Sequence, residues 1–146
     1  MNGSMDPDTE YSATVWKHFH TPSNAGEFLA GTAGVLNGEA GARQHGRAVA
    51  FQLQVTADGQ VADCRYRVYG CPVTIALCSL TSEALKGQPL TAAAAYSVVS
   101  LAEQLGLPAE KHAAAITVED AIRSAAGRYN SHVQPLAAAT EFTYRA

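Results

Sequence analysis

No apolar run in this chain approaches the roughly 20 residues needed to cross a bilayer, and the polar opening MNGSMDPDTE has no signal-peptide core. Basic residues are few and scattered. Ten Lys and Arg against 13 Asp and Glu give a net charge of -3, which does not suit a phosphate-neutralising surface. The expectation is therefore a cytoplasmic protein that binds neither nucleic acid nor membrane. Cysteine is scarce as well: Cys64, Cys71 and Cys78 are an odd set with no C-x-x-C pair, which fits neither a disulfide framework nor a zinc ribbon. Any chemistry must be assembled through the fold. There is no internal repeat.

What is present suits one compact domain, because 146 residues at 47% hydrophobic content can bury a core of ordinary size. We divide the chain into a flexible start over 1–10, a domain over 11–132 and a tail without assigned structure over 133–146. Val15, Trp16 and Phe19 share a helical spacing. Thr21-Pro22 stops that helix, since the residue before a proline is pushed out of the helical region. Glycines 26, 31, 34, 38, 41 and 46 mark a mobile segment with room for a short edge strand.

The clearest element is AVAFQLQVTADGQVADCRYRVYGC, two alternating runs around Asp58-Gly59, which read as a two-residue hairpin turn. That register places Val55 opposite Ala62, Leu53 opposite Cys64, Phe51 opposite Tyr66 and Val49 opposite Val68 on a core face. Gln52, Gln54, Asp63, Arg65 and Arg67 fall on the polar face. Continued to the open end, it sets Gly46 opposite Cys71 and His45 opposite Pro72, with the His45 and Cys71 β-carbons about 5 to 8 Å apart. Pro72 then opens a helix with a Val73, Leu77, Leu80, Ala84 stripe that ends at Lys86-Gly87. A second helix runs through the alanine-rich segment to Gln104, closed by Gly106 and Pro108. A last helix carries Val118, Ile122, Ala125 and Tyr129.

Cys71 sits at or just before a helix N-terminus, where unpaired N–H groups and the helix dipole favour thiolate. It reads equally as a ligand or nucleophile and as a small residue in a tight turn. Cys64, opposite Leu53, reads as an inert core thiol. Cys78 lies seven residues beyond Cys71, about 10 Å along the helix axis, which forbids a disulfide between them. His45 could be a metal ligand or a base for the thiol. His112, at the start of the last helix, suits a neutral imidazole that could act as a ligand. His18 and His20 are expected to face solvent or cap the turn, and His132 lies near the tail.

The runs His18-Phe19-His20-Thr21-Pro22-Ser23-Asn24-Ala25-Gly26, Tyr66-Arg67-Val68-Tyr69-Gly70-Cys71, Ile75-Ala76 with Ser79 and Thr81-Ser82-Glu83, Leu85-Lys86-Gly87 and Glu119-Asp120-Ala121-Ile122 together resemble the iron–sulfur cluster assembly scaffolds, IscU and the N-terminal domain of NifU. The resemblance covers roughly residues 11 to 130. It implies an α+β fold, a small antiparallel sheet with helices packed on one face, and a site at one end of the sheet. In the family that site uses three cysteines, an aspartate and a histidine to hold a transient cluster, or zinc in its place. Carried over position by position, the first cysteine corresponds to His45, the aspartate to Arg47, the second cysteine to Cys71, and the histidine and last cysteine to Ala113 and Ala114. The chaperone-recognition segment reads Leu107-Pro108-Ala109-Glu110-Lys111, which departs from the family's Leu-Pro-Pro-Val-Lys and puts an Hsp70-type partner in doubt.

The resemblance thus implies a scaffold and not an enzyme, binding iron, zinc or an iron–sulfur cluster through Cys71 with His45, and with a cysteine desulfurase as partner. Zinc could take His45, Cys71 and His112 as ligands, with water or a strained Cys78 as the fourth. A cluster prefers thiolates, so a homodimer sharing Cys71 from each copy would ease their shortage. Two alternatives stand beside this reading. One is a metal-free adaptor or regulator that keeps the scaffold's docking surface. The other is a sulfur-transfer protein that depends on Cys71.

Overall fold

The computed structural model describes residues 11–129. The expectations for 1–10, for the 133–146 tail and for His132 fall outside the described residues. Three antiparallel strands, β1 (Val35–Ala42), β2 (Arg47–Val55) and β3 (Val61–Tyr69), lie in the order β1-β2-β3. Five α-helices accompany them among the described residues: α1 (Ala13–His20), α2 (Pro72–Leu85), α3 (Leu90–Ala94), α4 (Val98–Gln104) and α5 (His112–Ala126). Helix α5 packs on β1 and β2, α2 packs on β3, α1 covers α2, and α3 and α4 lean on α5. The α+β expectation, with helices on one face of the sheet, agrees with this architecture.

The alternating pattern decides which side of the sheet is buried. Val49, Phe51, Leu53 and Val55 of β2 and Val61, Cys64 and Tyr66 of β3 are at most 2% exposed. Phe51 pairs with Tyr66, Leu53 with Cys64 and Val49 with Val68, as the sequence register predicts. The turn itself differs. Asp58 and Gly59 belong to a three-residue loop that begins at Ala57, with Gly59 at φ 82° and its N–H donating to Thr56 O. Val55 consequently faces Val61 and not Ala62, and a bulge beside Gln54 restores the expected register.

The glycine-rich segment departs most from expectation. Residues 35–42 form a full strand registered on β2 from Val35↔Gln54 to Ala42↔Arg47. Residues 25–34 cross the outer face as a strap. Gly26 N–H donates to Tyr66 O, Phe28 N–H to Gln52 Oε1, and Gln54 Nε2 to Ala33 O. The Arg65 guanidinium lies 4.9 Å from the Phe28 ring centroid. The glycines here therefore meet packing demands as well as flexibility, as Gly38 shows below.

Helix α2 is not the one-sided stripe expected from Val73, Leu77, Leu80 and Ala84. Its buried residues Val73, Thr74, Ala76, Leu77, Cys78, Ser79, Thr81, Ser82 and Leu85 run round most of its circumference, while Leu80 and Ala84 are only half-buried. The reason is position: α2 lies between the sheet, α1, α4 and α5. The alanine-rich helix is two helices, because Ser97 accepts from Ser100 N–H and starts α4 afresh. In α5, Val118, Ile122 and Ala125 are buried as expected, but Tyr129 lies past the helix end.

On the outer face, Asp63 joins Arg65 at 2.8 Å and Lys86 at 2.9 Å. Partial burial pushes its carboxyl up, but Lys86, the Cys64 N–H and Arg65 outweigh this and hold it below the ordinary carboxylate range. A depressed folded value means that the stabilisation is present above the unfolded pKa and is lost as pH falls through the folded one. Asp63→Asn should therefore cost about 1 kcal/mol at pH 7, with the difference closing in acid. Urea melts of both proteins between pH 7 and pH 2 check this, and an equal gap at both ends would contradict it.

Candidate functional site

Cys71 is the N-cap of α2, followed by Pro72 in the first turn. Its sulfur is half-buried, lies 3.5 Å from Thr74 Oγ1 and makes no strict capping bond. Burial alone would push the thiol up. The Thr74 hydroxyl, the N–H groups of Thr74 and Val73, and the charge of Lys111 outweigh it, so the Cys71 thiol sits below its ordinary value. The other two cysteines behave oppositely. Cys64 is wholly buried, donates to Ser82 O at 3.3 Å, and has its thiol pushed up to about 12, chiefly by burial. Cys78 is wholly buried and its thiol is pushed up by desolvation. Among the described residues, Cys71 is the only cysteine that combines exposure with a stabilised thiolate.

His45 does not stand opposite Pro72. The β2–β3 ladder stops at Ala48↔Tyr69, and Arg43–His45 form a 3-10 turn linking β1 to β2. Pairing of β1 with β2 draws this segment into its own turn, closed by Gly46 N–H donating to Arg43 O, and leaves His45 exposed. His112 begins α5 with its Nε2 buried and unpartnered. Ala113 is exposed, while Ala114 is wholly buried in the core. Among the described residues, no group of three or more His, Cys, Asp or Glu side chains is placed to hold a metal ion. Thus Cys71, His45 and His112 do not form a ready three-ligand zinc centre.

Arg47, which the sequence resemblance sets against an aspartate, packs beside Gly70. A β-carbon placed on Gly70 would be 3.7 Å from Arg47 Cγ and 3.3 Å from Thr74 Oγ1. On the outer face next to this rim is a hollow of about 320 Å³ whose lining includes Arg43, Ala48, Ala50, Arg67 and Tyr69, with Arg43 stacked 4.9 Å over the Tyr69 ring.

The residues that sequence reasoning undervalued are in the His18–Gly26 run. His18 is 7% exposed and does not face solvent. Its Nδ1 lies 2.6 Å from Ser79 Oγ, which also accepts from Ser23 N–H at 2.8 Å. Ser23 Oγ donates to Glu83 and Asn24 Nδ2 donates to Ser82 Oγ. Two separate sequence runs therefore form one brace between α1, the strap and α2. The signal was the polar content of both runs, which apolar periodicity does not register. His20 is exposed and stacks on Trp16.

A small antiparallel sheet with helices on one face and an accessible cysteine at its open end make an α+β domain with a single reachable thiol at its rim. Residues 10–135 match the NifU-like N terminal domain, and the chain belongs to that family. The iron–sulfur cluster assembly scaffold protein IscU of Escherichia coli K12 is 37% identical over 121 residues, covering 83% of this chain and 94% of that protein. The Arabidopsis thaliana iron-sulfur cluster assembly protein 2 is 34% identical over 137 residues, covering 93% and 84%. The crystal structure of a NifU-like protein (N-terminal) from Brucella abortus superposes with a TM-score of 0.59 at 19% identity, covering 81% of this chain and 92% of that one. This last likeness concerns the fold.

The cargo these relatives' names imply can be tested against the donor set. A cluster is normally held by thiolates, and this chain offers one accessible thiol, with Arg47 packed beside the neighbouring Gly70. One protomer alone does not fit a whole cluster.

Proposed function

We propose that the protein works in iron–sulfur cluster assembly as a scaffold-type carrier rather than an enzyme, with Cys71 as the point of attachment for its cargo. The observation that carries this reading is the thiolate-favouring setting of Cys71 at the open end of the family's sheet. Because one protomer has one such thiol, remaining ligands come from outside it, and a second copy contributing its own Cys71 is the simplest source. His45 and His112 serve as auxiliary donors for iron or zinc after rearrangement of the rim. A cysteine desulfurase is the partner that supplies sulfur, and the cytoplasm is the compartment. An Hsp70-type chaperone is not assigned, since Ala109 and Glu110 depart from the recognition pattern.

The test is analysis of iron, zinc and sulfide in protein purified anaerobically, beside Cys71→Ala treated identically. The expected result is bound metal in the parent and at least tenfold less in the variant, with about one iron per protomer if two copies share a two-iron cluster. No metal in either preparation, even after attempted reconstitution, would overturn the carrier reading. It would favour the metal-free adaptor, which the alanines at 113 and 114 already support.

A further inference from the structure

At the far end of the sheet from Cys71, the β2–β3 turn, α3 and the end of α5 enclose a hollow of about 580 Å³ with a largely apolar wall, to which Gly59, Pro89, Leu90, Ala94, Ala126 and Tyr129 contribute. The wall is fixed by backbone bonds. Leu90 N–H donates to Gly59 O at 2.8 Å and Val61 N–H to Gln88 O at 2.8 Å, which ties the start of α3 to the hairpin turn. Across the hollow, Arg128 N–H donates to Ala125 O and Tyr129 N–H to Ala126 O, so the chain is still wound past the end of α5 when it reaches Tyr129. Pro89 is exposed, and Ala94, Ala126 and Tyr129 are half-buried, so a covering segment would take further apolar surface from water.

Residues 130–146, NSHVQPLAAATEFTYRA, continue directly from this wall. They bring the apolar side chains Leu136, Ala139 and Phe142, and Leu136 is near enough, since the chain from Tyr129 to it spans at most about 25 Å when extended. The charges match as well. At neutral pH the side chains of that segment carry one charge of each sign, Glu141 and Arg145, and the lining of the hollow likewise has Arg123 and Asp58. Asp58 forms no ion pair among the described residues, and Arg123, exposed beside Glu119 and Asp120, has N–H donors to spare. A partner of one strong charge sign would find no such match.

We propose that residues 135–145 of the same chain dock in this hollow, with Leu136 and Phe142 against Leu90, Ala94 and Tyr129, and with Glu141 and Arg145 toward Arg123 and Asp58. The docked segment pins the end of α5 to α3 and the hairpin turn. The nine residues of β3 separate this place from the Cys71 rim, roughly 25 Å of strand, so occupation of the hollow neither needs nor precludes metal at Cys71.

The experiment is NMR on the full chain, reading contacts as NOEs and the amide hydrogen exchange of residues 136–142. NOEs are expected from the Phe142 ring and the Leu136 methyls to the methyls of Leu90 and Ala94, with exchange slowed about tenfold or more relative to Leu136→Asp. Thr91→Arg, at an exposed position in the lining, puts a long cation into the hollow and should abolish the same protection with the docking segment unaltered. A mixture of isotope-labelled and unlabelled protein identifies the occupant. NOEs within one chain support the proposal, whereas NOEs only between copies would overturn it and make the hollow a contact between two molecules. Absence of these NOEs, exchange in the parent as fast as in Leu136→Asp, or protection that survives Thr91→Arg would each overturn it too. Should a variant fail to fold, the NOEs of the parent chain decide alone. Metal analysis is a separate readout, so a failure here leaves the carrier reading to its own test.

Discussion

Gly38→Ala is expected to lower the unfolding free energy by about 3 kcal/mol or more, at the upper end of overpacking effects, and to lower the melting temperature by roughly 10 °C. A β-carbon at this position would stand 2.2 Å from Ala121 O and 2.3 Å from Ala125 N. Both are backbone atoms of α5, so no rotamer change relieves the clash. Relief requires α5 to lift from β1, which would loosen the burial of Val118, Ala121, Ile122 and Ala125. Gly59→Ala is the control, because φ there is 82° but the space is open. It should cost only about 1–2 kcal/mol of backbone strain. Urea titration separates the two, with the midpoint moving and the slope holding if both folds persist. Equal losses would show that close packing is not what requires glycine at position 38.

Ser79→Ala should cost about 2–3 kcal/mol, although it removes a single oxygen. That oxygen serves His18 Nδ1 at 2.6 Å and Ser23 N–H at 2.8 Å, and Ser79 is wholly buried. Deletion leaves both groups without their partner, the His18 ring in a buried position and the Ser23 N–H in a part-buried one. The Tyr66 hydroxyl is also close to Ser79; burial pushes that phenol up to about 12 although the Ser79 hydroxyl pulls it down. Ser97→Ala, which removes an exposed cap, should cost about 1 kcal/mol. A Ser79→Ala loss no greater than that of Ser97→Ala would mean that the brace between α1 and α2 contributes little. Hydrogen exchange of α1 amides gives a second check, since protection there should fall before protection in β2.

Both predictions concern places where the sequence was hard to read, and the reasons differ. Strands β2 and β3 were legible because apolar residues alternate at the period of the pleat. Their pairing survived a wrong turn length, since a bulge at Val55 returned the hydrophobic residues to one face. Strand β1 was hidden because VLNGEAGA has little bulk. Its glycine answers to α5, more than 80 residues on in the chain. His18 was misplaced on the surface because its partner, Ser79, is 61 residues away.

At the site, the sequence by itself placed Cys71 between a strand and a proline-started helix, and that local grammar determines much of its thiol chemistry. It also determined that Cys64 would be a core thiol, through side-chain alternation alone. The rim's company was decided by the tertiary structure. Pairing of β1 with β2 drew His45 into an exposed turn, and the packing of the chain put Lys111 where its charge reaches the Cys71 thiol. Periodicity and caps act over a few residues and can be read along the chain. Charges that share a rim come from distant segments, and only the packed fold determines which of them meet.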